Sequence, residues 1–292
     1  MTIDEKTVEE MIKYSGPGKI VHFTDFLLDK ASQNGSTTRF NSGFKNFDEK
    51  MGGLETGEVV VISGHRKEGK TLFAESWIRN MVRLNKNAKA LLLSYEVQTE
   101  RLLIKYMKEE TLQIYVPESL ETMNFEWLWD RCIEAKYKYN VNIILIDHLH
   151  FQVDMNTKQN MSLNIGAYMR RLKKDIALDL DLAVILIAHQ GQPREGKEAS
   201  IDSIRDSSFV GQESDSTIIV SRRKNFNTVE LREIEMKGIL DPSINLSPPD
   251  GSDEEDEFSS GLAVVKIECH RRTGVYHWKK LFQKRGEFME EV

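Results

Sequence analysis

Residues 64 to 71 read Gly64-His65-Arg66-Lys67-Glu68-Gly69-Lys70-Thr71, a complete G-x-x-x-x-G-K-T phosphate-binding loop. Nothing else in the chain restricts its fold so far. Glu58-Val59-Val60-Val61-Ile62-Ser63 precedes the loop as a run suited to a buried strand, and Leu72 to Leu84 follows with a helical pattern. In a strand–loop–helix unit the loop's backbone N–H groups wrap phosphates, and the helix N-terminus adds partial positive charge. Lys70 then reaches the β- and γ-phosphates, and the Thr71 hydroxyl holds Mg²⁺. The pattern predicts a nucleoside triphosphate site built from Gly64, Glu68, Gly69, Lys70, Thr71 and Leu72.

The surrounding sequence predicts an α/β fold. Short apolar runs recur at Val59–Ser63, Ala90–Ser94, Ile143–Asp147, Ala183–Ala188, Thr217–Ser221 and Leu262–Glu268, with helical patterns in most of the gaps. One pattern places Ile165, Met169, Leu172 and Ile176 on a single face, opposite Arg170, Arg171, Lys173 and Lys174. Apolar strands alternating with helices imply a mostly parallel sheet covered on both sides. Residues 1–38 are expected to form a separate extension. Thr7 to Tyr14 and Thr24 to Ser32 read as short helices around Gly16-Pro17-Gly18, and Gln33 to Thr38 as a linker. Residues 39–292 are expected to form one domain.

Composition excludes several classes. No apolar stretch approaches the roughly 18 residues of a membrane span, and Met1 to Lys6 lacks a signal-peptide pattern. Cys132 and Cys269 lie far apart, without metal-ligand spacing, as expected of a reduced cytoplasmic protein. The net charge is −6, yet Asp241 to Glu257 holds seven acids and no base, so the remainder sums to +1. Such a body can carry a basic groove, and DNA is not excluded as a partner. The Pro/Ser/acid-rich 241–257 segment cannot bury a core and is expected to be a mobile insertion, either a solvated loop or a partner-docking tail.

Ligands in open α/β sheets bind at the carboxyl ends of the strands, where three runs end in polar groups. Asn142-Ile-Ile-Leu-Ile-Asp147 ends in a carboxylate suited to Mg²⁺ beside Thr71. Ala90-Leu-Leu-Leu-Ser94-Tyr95-Glu96 ends in a carboxylate able to polarise an attacking water. Leu182 to Gln190 ends in His189, able to hydrogen-bond a γ-phosphate.

These motifs, in this order, resemble a known family. Ser42-Gly-Phe-Lys-Asn-Phe-Asp48, then Gly52-Gly-Leu-Glu-Thr-Gly-Glu58 and the phosphate loop, are similar to the opening of the RecA-like motor domain of DnaB/Twinkle-type hexameric replicative helicases. Ser94-Tyr-Glu96, Ile146-Asp147-His-Leu-His150, Ala188-His189, Ser203 to Ser208 with Gln212 and Asp215, and Arg271-Arg272-Thr273-Gly274 continue it, across roughly residues 40 to 285. The resemblance implies an ATP- and Mg²⁺-dependent helicase that moves 5′→3′ on single-stranded DNA. Glu96 is implied to activate water, Asp147 to order the metal and His189 to sense the γ-phosphate. Arg271 is implied to complete a neighbouring subunit's site, which requires a head-to-tail ring. Arg222 matches a position that stacks on the base. Residues 1–38 resemble only the family's linker helix, so primase, loader or polymerase would be separate proteins.

DNA contact is expected from two polar loops, about Gln152–Asn160 and Gln192–Ser200 running into Arg205, with Lys158, Arg194, Lys197 and Arg205 gripping phosphates. Two departures stand out. Lys67 occupies a usual glycine position, and Cys269 replaces the Lys expected two residues before the finger. They favour a competing reading, a DNA-binding ring with weak hydrolysis. A RecA/RadA-like recombination ATPase would share the same motor. No Asn-Lys-x-Asp guanine reader is present, which argues against a signalling GTPase.

Overall fold

The chain divides into a short unit, Met1–Thr37, and a large one, Thr38–Val292. The computed structural model describes residues 5–15, 19–25, 38–96, 112–153, 161–190, 208–222, 262–284 and 288–290. In the short unit, helix α1 (Glu5–Ile12) begins two residues before the expected Thr7 start. Phe23 to Asp25 are helical, and the rest of the predicted Thr24–Ser32 helix lies outside the described residues, as does the acidic 241–257 segment.

In the large unit, β1 (Arg39–Phe40) and β2 (Leu54–Glu55) pair around α2 (Lys45–Met51). There follow β3 (Val59–Gly64), α3 (Lys70–Leu84), β4 (Ala90–Ser94), β5 (Ile114–Tyr115), α4 (Phe125–Tyr139) and β6 (Ile143–Asp147). After a 3₁₀ turn at Leu149–Phe151 come α5 (Met161–Arg171), β7 (Ala183–His189), α6 (Ser208–Glu213), β8 (Ser216–Arg222), β9 (Leu262–His270), β10 (Tyr276–Lys284) and β11 (Phe288–Glu290). The sheet runs β11-β10-β9-β8-β3-β7-β6-β4-β5. From β8 to β5 every pairing is parallel, and from β8 to β11 every pairing is antiparallel. The predicted strands are present within one or two residues of their expected bounds. The antiparallel edge beyond β9 was not anticipated.

Strand β3 is buried along its whole length because it has covered neighbours on both faces. Val60 and Ile62 face one core layer with Phe73, Trp77, Ile78 and Met81 of α3. Val59 and Val61 face the other, with Leu128 and Cys132 of α4 and Ile165 and Met169 of α5. The expected stripe Ile165, Met169, Leu172, Ile176 is fully buried. Its second half is not α-helical, however, since Leu172–Asp179 winds as a π-helix. There Lys173 Nζ reaches the Gly57 carbonyl (2.7 Å) and Asp215 Oδ2 (2.6 Å), tying the helix to the foot of β3.

Candidate active site

The parallel register brings the strand ends to one edge. Gly64 pairs with His189, and Asp147 lies opposite both Ser94 and Ile187. The phosphate loop leaves this edge through Gly64, where an added Cβ would overlap the Val220 carbonyl oxygen of β8. Only glycine allows β3 and β8 to approach so closely. Gly69, at φ +99°, caps α3, so the helix starts at Lys70, two residues before the predicted Leu72. Lys67 holds φ +64°, a left-handed conformation that the family's usual glycine adopts without strain.

Lys70 Nζ donates to the His65 carbonyl across the loop at 2.7 Å. Burial lowers the Lys70 pKa, while Glu96, Asp147 and Glu68 hold it up. Thr71 Oγ1 donates to Asp147 Oδ2 at 2.8 Å. The other Asp147 oxygen, Oδ1, is buried with no hydrogen-bond partner among the described residues. Burial pushes the Asp147 carboxyl up to about 6 against the opposing Thr71 hydrogen bond. An unpaired carboxylate oxygen beside a hydroxyl is a hard-oxygen set suited to Mg²⁺. These two residues fit that ion.

Glu96 lies two residues beyond β4, and its Oε2 is 3.5 Å from His189 Nε2. The backbone N–H of Tyr95 donates to the Asp147 carbonyl at 2.7 Å, extending the β4–β6 pairing up to the Glu96 position. Phe151 stacks on the Tyr95 ring with centroids 6.0 Å apart. His148, to which the sequence reading gave no role, stands with them. Its ring lies edge-on to His189 at 4.2 Å, and its Nδ1 accepts the His150 N–H at 3.3 Å. Burial, with the neighbouring His189 and His150, pulls its pKa down to about 4, so it is neutral at pH 7. The available signal was positional: two parallel neighbours, β6 and β7, each put a histidine at the same edge.

The predicted trans residue lies elsewhere. Strand β9 runs antiparallel to β8, and His270 pairs with Ser216 at the amino end of the parallel strands. Arg271 follows in the turn there, its N–H donating to the Asp215 carbonyl at 2.8 Å and its guanidinium to the Gln212 carbonyl. Its neighbour Arg272 is held internally by Glu58 (2.7 Å) and the Gly53 carbonyl (2.7 Å). Asp215, within the segment likened to a DNA-binding loop, instead accepts from Val59 N (2.7 Å) and Lys173. Leu72 packs against the core beside the loop, and Glu68 is buried within it. Arg222 ends β8, with only its backbone described. Lys158, Arg194, Lys197 and Arg205 lie outside the described residues.

A phosphate loop after β3, with the carboxylate-ended strand β6 two places along the parallel sheet, defines a P-loop core of RecA-like fold. The chain belongs to the DnaB-like helicase C terminal domain family, whose model matches residues 40–119 and 107–245. It is similar to the replicative DNA helicase DnaC of Bacillus subtilis (strain 168), 21% identical over 277 residues, covering 81% of this chain and 60% of the relative. It is also similar to the replicative DNA helicase DnaB of Rickettsia typhi, 23% identical over 243 residues, covering 69% and 48%. The chain thus spans about half to three fifths of these relatives' length. Among solved structures, one described as an ATPase domain superposes with a TM-score of 0.68 at 17% identity, over 92% of this chain and 97% of that one. A DnaB-like replicative helicase, described with its interactions with primase, gives 0.65 at 17%, over 99% and 71%. Among the described residues no helix is long and apolar enough to cross a membrane.

Proposed function

We propose that this chain is the ATP-hydrolysing motor of a ring-shaped replicative DNA helicase, moving 5′→3′ on single-stranded DNA. The observation that carries the reading is the convergence of Lys70, Thr71–Asp147 and Glu96–His189 on one sheet edge in a member of a DnaB-like family. Lys70 and the loop amides bind the phosphates. Thr71 and Asp147 would hold Mg²⁺, which supplies charge neutralisation at the phosphate oxygens when bound. Glu96 accepts a proton from the attacking water, and His189, in contact with Glu96, reads whether the γ-phosphate is present.

Arg271 stands at the opposite edge from its own chain's phosphate loop, which suits a role in a neighbouring copy's site. That role calls for a head-to-tail, hexameric ring. The segments 154–160 and 191–207 come after β6 and β7 in the chain, and these are neighbouring parallel strands. Lys158, Arg194, Lys197 and Arg205 on them are our candidates for DNA phosphate contact, and Arg222 for contact with the base. In residues 1–38, Met11, Ile12, Ile20 and Phe23 are exposed, as suits an extension that contacts a second copy.

Unwinding of a forked duplex with ATP and Mg²⁺ tests the proposal. Wild type should separate strands, and Lys70→Ala and Arg271→Ala should not. ATP hydrolysis and DNA binding without unwinding would favour a recombination ATPase. No hydrolysis with single-stranded DNA present would refute the motor.

A further inference from the structure

The nucleotide edge holds a second donor set, distinct from the hard oxygens of Thr71 and Asp147. One ligand atom each from Glu96, His148 and His189 lie within 4.8 Å of one another. We propose that these three side chains form a transition-metal site, selective for Zn²⁺-like ions, whose occupation switches hydrolysis off.

The chemistry separates it from the Mg²⁺ position. Imidazole nitrogen suits zinc, copper, nickel and cobalt, whereas Mg²⁺ prefers oxygen and keeps its waters. Two histidines and a glutamate are a known zinc donor set, leaving a fourth position for water. Bonds of about 2.0–2.1 Å in a tetrahedral site put ligand atoms roughly 3.4 Å apart. The His189–Glu96 pair, at 3.5 Å, already meets that spacing. The two pairs that include His148 lie within 4.8 Å, and closing them takes a shift of a histidine ring as well as of Glu96, whose side chain is 48% exposed. At His148 the Glu96 carboxylate favours a positive charge and the Lys70 ammonium opposes it, so the donor atoms rather than the wider field must hold the ion. The cost is local. His148 Nδ1 accepts the His150 N–H over 3.3 Å, and coordination displaces that bond, directly at Nδ1 or, for Nε2, by moving the ring hydrogen to Nδ1.

Binding itself does not depend on the helicase reading, but the switch does. An ion held by Glu96 and His189 removes from service the two residues assigned to activate water and read the γ-phosphate. Zn²⁺ should therefore inhibit hydrolysis without competing for the Mg²⁺ ligands.

The test uses the full chain, freed of metal with a chelator and titrated with Co²⁺, whose visible absorption reports a tetrahedral nitrogen–oxygen site. One equivalent should bind and be displaced by Zn²⁺. His148→Ala and Glu96→Gln should each weaken binding by about tenfold or more. Glu96 is half exposed, so its variant keeps the test valid even if His148→Ala fails to fold. Micromolar Zn²⁺ should suppress Mg²⁺-dependent ATP hydrolysis by wild type, with recovery on adding chelator. Absence of a Co²⁺ band, or a band unchanged in both His148→Ala and Glu96→Gln, would overturn the site. A band lost in those variants, in a protein that hydrolyses no ATP, would uphold the site and remove the motor reading instead.

Discussion

Lys67 carries a conformational cost that its position does not demand. At φ +64° a non-glycine residue costs about 1–2 kcal/mol. Glycine there would relieve that strain but add about 0.4–1 kcal/mol of unfolded-state entropy. Lys67→Gly should therefore raise stability by a net of about 0.5–1 kcal/mol, measured as a higher melting temperature without nucleotide. Asp147 lowers stability by another route, the burial of its carboxyl. Its carboxyl ordinarily titrates at 3.8, and burial raises it in the fold to about 6. The native state thus binds the proton more tightly than the unfolded chain. The associated stability is full below pH 4 and is lost as pH rises from 4 to 6. Asp147→Asn removes that loss while keeping an acceptor for Thr71. Without Mg²⁺ the variant should match wild type near pH 4 and exceed it above pH 6 by up to about 3 kcal/mol, in parallel urea titrations. Its Mg²⁺-dependent hydrolysis should fall on the order of 100-fold.

Helix α3 couples the nucleotide to the core. Phe73 lies two residues after Thr71 and stacks on Phe44 (5.8 Å), edge-on to Phe47 (6.0 Å) and Phe282 (5.8 Å). Phe73→Ala should cost about 3–5 kcal/mol in urea denaturation, as expected for a fully buried aromatic. The phosphate loop and six strands could be read from sequence because buried strands are largely apolar runs, the antiparallel β9 included. Strand β10 could not. Tyr276-His-Trp-Lys-Lys-Leu-Phe-Gln-Lys284 mixes charge with apolar residues because it lies near the antiparallel edge of the sheet. The π-helical Leu172–Asp179 was hidden for another reason: its four-residue spacing reads the same in either winding. In the site, Asp147 and Glu96 stood out as acids ending apolar runs. His148 did not, because its neighbour His189 is set by the β6–β7 pairing, 41 positions along the chain. The role of Arg272 was equally invisible, since Glu58 and the Gly53 carbonyl meet it across the fold.

At the scale of the whole molecule, the phosphate loop after β3 and the Arg271 turn after β9 occupy opposite ends of the sheet. Under the proposed assembly, Lys70→Ala and Arg271→Ala chains are each inactive, for different reasons. Mixed one to one with random order, about a quarter of their contacts should pair an intact Lys70 with an intact Arg271. Hydrolysis should reappear in that mixture, measured as phosphate release, and in neither variant alone. No recovery, despite proven co-assembly, would place Arg271 outside the reaction. The separation of the two ends has a further consequence. Each copy then listens on one side and speaks on the other, so news of a spent nucleotide passes to a single neighbour and never back. Under the proposed assembly a circle of such copies would have a built-in sense of rotation, written into the antiparallel turn at the end of β9.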